Sequence, residues 1–80
     1  MAKVLMFASA REASGARAQE IPGDCVVAVI DAAEQMYGPR FGEVVAFSRI
    51  WLNGDPVTRD GRQPCTATDE LAILPPVAGG

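Results

Sequence analysis

The reactive group that stands out in this 80-residue chain is its last one, the α-carboxylate of Gly79-Gly80. Two glycines in a row make a thin tip, without side chains, that fits a narrow active site. Pro75-Pro76 just upstream have the opposite character. Their fixed φ favours an extended path that holds the tip away from the body of the domain. At about 3.3 Å per residue, Pro75 to Gly80 reach roughly 20 Å when stretched. Taken alone, this ending has two readings, a frayed terminus or a reactive tip. The rest of the chain has to separate them.

The side chains offer little competing chemistry. There is no histidine, which removes the usual Ser-His-Asp and Cys-His units and the commonest metal ligand. No Gly-x-x-x-x-Gly-Lys loop and no Gly-x-Gly-x-x-Gly turn occurs. Cys25 lies near an expected helix start, where a thiol is acidified, but a free cysteine is more often a small buried apolar group. Cys65 follows Pro64 in a loop. Asp69-Glu70 are adjacent, so on a strand they face opposite ways and read as turn and strand-start residues. Arg11-Glu12 reads as a solvated pair. The terminal carboxylate is left as the candidate. With a reference pKa of about 3.3–3.7 it is anionic and a poor electrophile until activated. A protein offering only this group is a carrier.

Composition sets the frame for that carrier. Eighty residues, 49% hydrophobic and 21% charged, describe one small globular domain. The net charge of −3 argues against nucleic acid, whose phosphates need a basic face. Two cysteines in no metal-type spacing are too few for a disulfide framework, so both are expected reduced in a cytoplasmic protein. Met1 to Ala10 faintly resembles a signal peptide, but its apolar run is at the short end for one. No stretch is long enough to span a membrane.

The elements that would hold the tip follow from pattern. Lys3 to Ser9 reads as a first strand, without clean alternation, hence covered on both faces. Arg11 to Ala18 reads as a turn pivoting on Gly15, and Arg17 to Ile21 as the returning strand. Asp24 stands at an expected helix N-cap. Val26, Ile30, Ala33 and Tyr37 follow at helical spacing, with Val29 and Met36 filling the stripe, and Gly38-Pro39 ends it. Phe41 to Phe47 reads as a loop and Ser48 to Leu52 as a strand. Asn53-Gly54 marks a type I′ hairpin, with a return strand starting at Val57-Thr58. Leu71 to Leu74 is a last strand that Pro75 terminates. Trp51, Phe7 and Leu74 are expected to divide between core and a docking patch on the sheet face away from the helix, some of each.

This order predicts an α+β fold with one main helix across one face of a small mixed sheet. If the last strand pairs parallel beside the first, the arrangement is a β-grasp, ubiquitin-like one. Residues 1–74 would form the domain and residues 75–80 an extended tail.

The block Asp69-Glu70-Leu71-Ala72-Ile73-Leu74-Pro75-Pro76-Val77-Ala78-Gly79-Gly80 resembles the ending of the MoaD/ThiS family of sulfur carriers, most closely its molybdopterin synthase small subunits. Lys3 to Ala8, Arg11-Glu12, Gly15 and Asn53-Gly54 fit the same family along most of the chain. Thr68 departs from it, standing where the family usually has glycine.

The resemblance implies that Gly80 is adenylated in trans by an ATP-using, MoeB-like activating enzyme and then becomes a thiocarboxylate. Gly79 would give clearance. The tail would enter a MoaE-like large synthase subunit and pass sulfur to a cyclic pyranopterin precursor. The chain itself would be a non-catalytic donor with no bound cofactor and no metal. Positions meeting the partner would be Phe7, Arg11, Leu74, Pro75, Pro76, Val77 and Ala78. Alternatives are a carrier for thiamine or cysteine synthesis, which usually lacks the Pro-Pro pair in the thiamine case, and a ubiquitin-like modifier or binding module.

Overall fold

The computed structural model describes residues 1–76. Its elements run β1 (Ala2–Met6), α1 (Ala8–Ser14), β2 (Ala18–Ile21), α2 (Val26–Tyr37), α3 (Pro39–Ala46), β3 (Arg49–Leu52), β4 (Asp55–Val57) and β5 (Glu70–Leu74). The strands form one sheet in the order β2-β1-β5-β3-β4. β5 lies parallel to β1 and antiparallel to β3, and both hairpins are antiparallel. This is the expected β-grasp topology, with the last strand inserted at the centre.

Alternation sorts the sheet faces. Ala2, Val4 and Met6 of β1, Leu71 and Ile73 of β5 and Ile50 of β3 are buried with Ala10, Val26, Val29, Ile30, Ala33, Phe41 and Val45 of the helices. The other face is open. The blurred alternation of β1 therefore does not mean burial on both sides. It arises because Leu5, on the open face, is apolar and only half-buried.

Two helices stand where the sequence reads otherwise: β1 stops at Met6, so Ala8 and Ser9, read as strand, and Arg11 to Ser14, read as turn, belong to α1, and the loop read over Phe41 to Phe47 belongs largely to α3. Ala8–Ser14 forms a short helix after Phe7, and Gly15, the expected pivot, is its left-handed C-cap (φ 75°). Seven residues are too few for a helix to announce itself in sequence, and packing against α3 sustains it. Pro39–Ala46 is the second. Pro39 both ends α2 and starts α3, because its missing N–H is unneeded in a first turn. Phe41 and Val45, four apart, are buried, and the Tyr37 and Phe41 rings meet at 5.0 Å.

α2 is capped differently from expectation. Cys25, not Asp24, is the N-cap, and no side chain bonds the free N–H groups. Instead Val26 N donates to the Gln63 carbonyl (3.0 Å) and Val27 N to that of Gly61 (2.9 Å). The long loop after β4 thus serves as the cap. Gly23 (φ 139°) is needed where the chain passes from β2 into α2, since a Cβ there would lie 2.6 Å from Val29 N. Val26, Val29, Ile30 and Ala33 are buried as expected, whereas Met36 is half-exposed.

Asn53 (φ 51°) and Gly54 (φ 87°) make the predicted turn, and β4 begins at Asp55, earlier than read.

Candidate functional site: the root of the C-terminal tail

Gly80, which carries the α-carboxylate, lies with Val77, Ala78 and Gly79 outside the described residues. Their attachment point is described in full. β5 runs up the centre of the sheet and delivers Leu74, half-buried, then Pro75, buried, then Pro76, exposed. Pro75, counted above with the tail, is therefore packed against the body.

The strand register places the neighbours. Phe7 continues β1 in extended conformation and donates its N–H to the Ile73 carbonyl (3.3 Å), which sets it beside Leu74. On the other side Leu74 pairs with Arg49 of β3. Phe7, Leu74 and Arg49 thus form one row across the open face at the tail end. Phe7 is 41% exposed. One row further down, Ala18, Leu5, Ala72, Trp51 and Pro56 face each other across all five strands. Trp51, Leu5 and Ala72 are half-buried without belonging to the core. None of Phe7, Leu74 and Trp51 belongs to the buried core: Phe7 is exposed and the other two are half-buried, so the three form a partly exposed apolar patch on the open face. Trp51 carried a signal in the sequence; Leu5, Ala72 and Pro56 were findable only through register.

The third row, Glu20, Lys3 and Glu70, is exposed and charged. The open face is therefore apolar near the tail and charged away from it. Arg11 lies on α1, one turn beyond Phe7, and is exposed. Its main-chain N–H donates to the Phe7 carbonyl (3.4 Å), which sets it beside the tail root, and its side chain forms no ion pair among the described residues. Just before α1, Ala8 takes φ 49°, an unfavourable value for an L-residue at the sharp exit from β1.

The remaining titratable candidates are structural. Burial, followed by the nearby Asp69 and Cys25, pushes the Cys65 thiol up, so it stays protonated and unreactive. Cys25 is half-buried and both thiols are free. Asp69 accepts from Asn53 Nδ2 (2.9 Å), from Thr66 N (2.7 Å) and from the Thr66 hydroxyl (3.1 Å). Those bonds, Asn53's first, hold its carboxyl below the usual range. Asn53 Oδ1 accepts from Glu70 N (2.9 Å). Asp69-Glu70 is thus strand-start chemistry, as the adjacency implied. No cluster able to hold a metal ion occurs among the described residues, and no helix there is long and apolar enough to cross a membrane.

A small mixed sheet with its last strand inserted at the centre, helices on one face and the other face open, defines a ubiquitin-like, β-grasp protein. The chain belongs to the ThiS family, whose model matches residues 4–80. Solved structures of three relatives agree over nearly the whole length. The small archaeal modifier protein 1 (SAMP1) of Methanosarcina acetivorans is 28% identical (TM-score 0.79, covering 99% of this chain and 95% of that one). A chain of the Amycolatopsis orientalis BexX/CysO complex is 27% identical (TM-score 0.79, 100% of both). A Pyrococcus furiosus protein assigned as subunit 1 of molybdopterin converting factor is 28% identical (TM-score 0.76, 95% and 97%).

Proposed function

We propose that this chain is the sulfur-carrier small subunit of molybdopterin synthase. The observation that carries the reading is the ending Leu74-Pro75-Pro76-Val77-Ala78-Gly79-Gly80, hung from the central strand of a β-grasp sheet. The family match supports a sulfur carrier, and the Pyrococcus relative supports this branch of it.

The chemistry follows from the carboxylate. A Gly80 oxygen attacks the α-phosphorus of ATP in the activating enzyme, forming an acyl-adenylate and releasing pyrophosphate. A sulfur nucleophile of formal sulfide level then displaces AMP and leaves a thiocarboxylate. In the large subunit the thiocarboxylate sulfur bonds to a carbon of the cyclic pyranopterin precursor as an oxygen substituent leaves that carbon, and water then cleaves the resulting thioester, leaving the thiol on the pterin and returning the glycine to its carboxylate. Pro75 and Pro76 restrict the root of the tail, Gly79 leaves room for the reacting atoms, and Phe7 and Leu74 dock the body. The proposed compartment is the cytoplasm, which supplies both ATP and a sulfur donor.

A second reading has support of its own. Relatives of equal similarity include the archaeal modifier protein and CysO, so delivery to another acceptor, or an isopeptide bond, uses the same acyl-adenylate with a different nucleophile.

Incubation with an adenylating enzyme, ATP and a sulfide source is expected to raise the intact mass by the difference between sulfur and oxygen, located at Gly80. An unchanged mass under conditions that charge a related carrier sinks the carrier reading. Molybdopterin formation on adding a large synthase subunit and the pterin precursor separates the first reading from the second.

A further inference from the structure

β2 is an edge of the sheet and carries main-chain groups that the sheet leaves unpaired. Their direction follows from β1. Met6 N donates to the Arg17 carbonyl (2.8 Å), and Val4 stands opposite Gln19. In an antiparallel pair such hydrogen-bonded positions recur at every second residue. Arg17, Gln19 and Ile21 therefore turn their N–H and C=O groups to β1, and Ala18 and Glu20 turn theirs outward. Ala18, Gln19 and Glu20 are exposed, so no described helix or loop covers this edge. The free stretch is bounded on both sides. The N–H and the carbonyl of Ala16 are both bonded to the Ser14 hydroxyl (3.2 and 3.1 Å), and Pro22 has no N–H to offer. Two donors and two acceptors remain, and of these the Glu20 carbonyl has only the Gln19 side-chain amide at 3.5 Å. The opposite edge is blunted, because β4 is three residues long with Pro56 at its centre.

The side chains decide what pairs there. Arg17, Ala18, Gln19 and Glu20 offer no apolar pocket for an alternating apolar peptide, so the matching strand is a polar one. A second copy of β2, antiparallel about a twofold axis at Gln19, meets all four groups. Ala18 N–H donates to the second copy's Glu20 carbonyl, Glu20 N–H donates to the second copy's Ala18 carbonyl, and the axis repeats both bonds. A shift by one residue aims outward groups at inward ones. An axis at Glu20 sets two carboxylates directly opposite, which is destabilising. An axis at Ala18 leaves Glu20 facing Ala16, whose groups Ser14 already holds. With the axis at Gln19, Glu20 meets a small alanine and keeps Lys3 of its own chain on its other side.

We propose that two copies of this chain associate edge to edge through β2, in the register centred on Gln19, joining their five-stranded sheets into one. Two four-residue strands bury less than the about 1,200–2,000 Å² of a stable interface, so the dimer is weak and forms at high concentration. The contact uses neither Phe7 nor Leu74 nor the tail, and it does not rest on the carrier reading.

The test uses the full chain alone in solution. In the wild type, amide hydrogen exchange at Ala18 and Glu20 is expected to slow several-fold between about 0.05 mM and about 1 mM protein. Exchange at Gln19, whose N–H already faces β1, should not change. The second readout is crosslinking in a Cys25→Ser background. Gln19→Cys sets two thiols opposite each other on the axis, where Cα atoms lie about 4.5 Å apart and a disulfide closes without strain. Ala18→Cys makes them diagonal neighbours roughly 7–8 Å apart, outside that range. In a glutathione redox buffer, Gln19→Cys is expected to give about tenfold more covalent dimer than Ala18→Cys. Exchange that ignores concentration overturns the proposal, and is the result expected if the edge serves an unrelated extended chain instead. Equal or reversed dimer yields from the two cysteine variants overturn it as well. Either failure leaves the carrier reading standing, because Gly80 takes no part in the contact.

Discussion

The two ends of the central strand β5 are built on opposite plans. At its start, polar groups are closed on one another: Asp69 on Thr66 and Asn53, Glu70 N on Asn53, and Asn53 N on the Glu70 carbonyl. The loop leading there is tied to α2 by Arg59, which donates to Asp31 (2.9 Å) and to Glu34 (2.6 Å), and by the Gly61 and Gln63 carbonyls that cap the helix. At its other end, Phe7 and Phe47 are exposed, Arg11, Arg49 and Glu43 have no ion-pair partner among the described residues, and Ala8 sits at positive φ. One end fixes the register of the strand, and the other leaves surface unsatisfied where the strand hands over to the tail. Function is expected to concentrate at the unsatisfied end and stability at the closed one.

The sharpest test of that division lies past the described residues. Gly79→Val, or one residue added after Gly80, is expected to abolish sulfur transfer, because a side chain or a displaced carboxylate no longer fits the narrow site. The thermal midpoint should not move. A fall in midpoint would mean that the tail contributes to the fold, and the contrast between the two ends would fail. Phe7→Ala is next in size. It should weaken partner docking about tenfold, as loss of an exposed aromatic anchor does, while changing stability by less than about 0.5 kcal/mol. Titration calorimetry against the partner and a denaturant curve measure the two effects separately.

Asn53→Ala is the mirror-image test. It removes two side-chain hydrogen bonds at the closed end and places alanine at φ 51°. A loss of about 1–2 kcal/mol follows, or roughly 4–8 °C per kcal/mol for a domain of this size. Sulfur acceptance below the new midpoint should match the wild type. A loss of acceptance without a loss of stability would reverse the assignment of the two ends.

The same contrast explains what could be read from the sequence. Strong local signals gave the correct elements: Asn53-Gly54 for its turn, Gly38-Pro39 for the end of α2, and the Val26 to Tyr37 stripe for the main helix. The parallel insertion of β5 agreed with its apolar run and the proline after it. Contacts between distant segments were not legible. Nothing local in Asp24-Cys25 says that carbonyls from Gly61 and Gln63 will cap α2 and displace Asp24. Nothing local in Phe41 to Phe47 outweighs Gly42 and the segment's shortness; α3 is held by burying Phe41 and Val45 against elements that the sequence does not place. The site divided in the same way. Gly79, Gly80 and the prolines stand in the sequence as a motif. Arg49 reaches the tail root only through the pairing of β3 with β5 and Phe47 only through the cleft it shares with Pro75 and Pro76, whereas Arg11, which the resemblance implied, stands one turn of α1 from Phe7.

The smallest effect concerns pH and again separates the ends. Hydrogen bonds, that from Asn53 first and those from Thr66 next, lower the Asp69 pKa in the folded chain, whereas the unfolded chain has the ordinary aspartate value of about 3.9. A folded pKa below the unfolded one adds stability that is complete above about pH 4. That contribution is lost as pH falls through the folded value, when the unfolded chain binds the proton more readily. Asp69→Asn keeps an acceptor but cannot titrate. The variant should be less stable than wild type at pH 7, and the gap should narrow on acidification below about pH 4. Urea midpoints at pH 7 and pH 3 measure it. A gap of the same size at both values would mean that Asp69's charge takes no part in closing this end of the strand, leaving its hydrogen bonds to act as neutral ones.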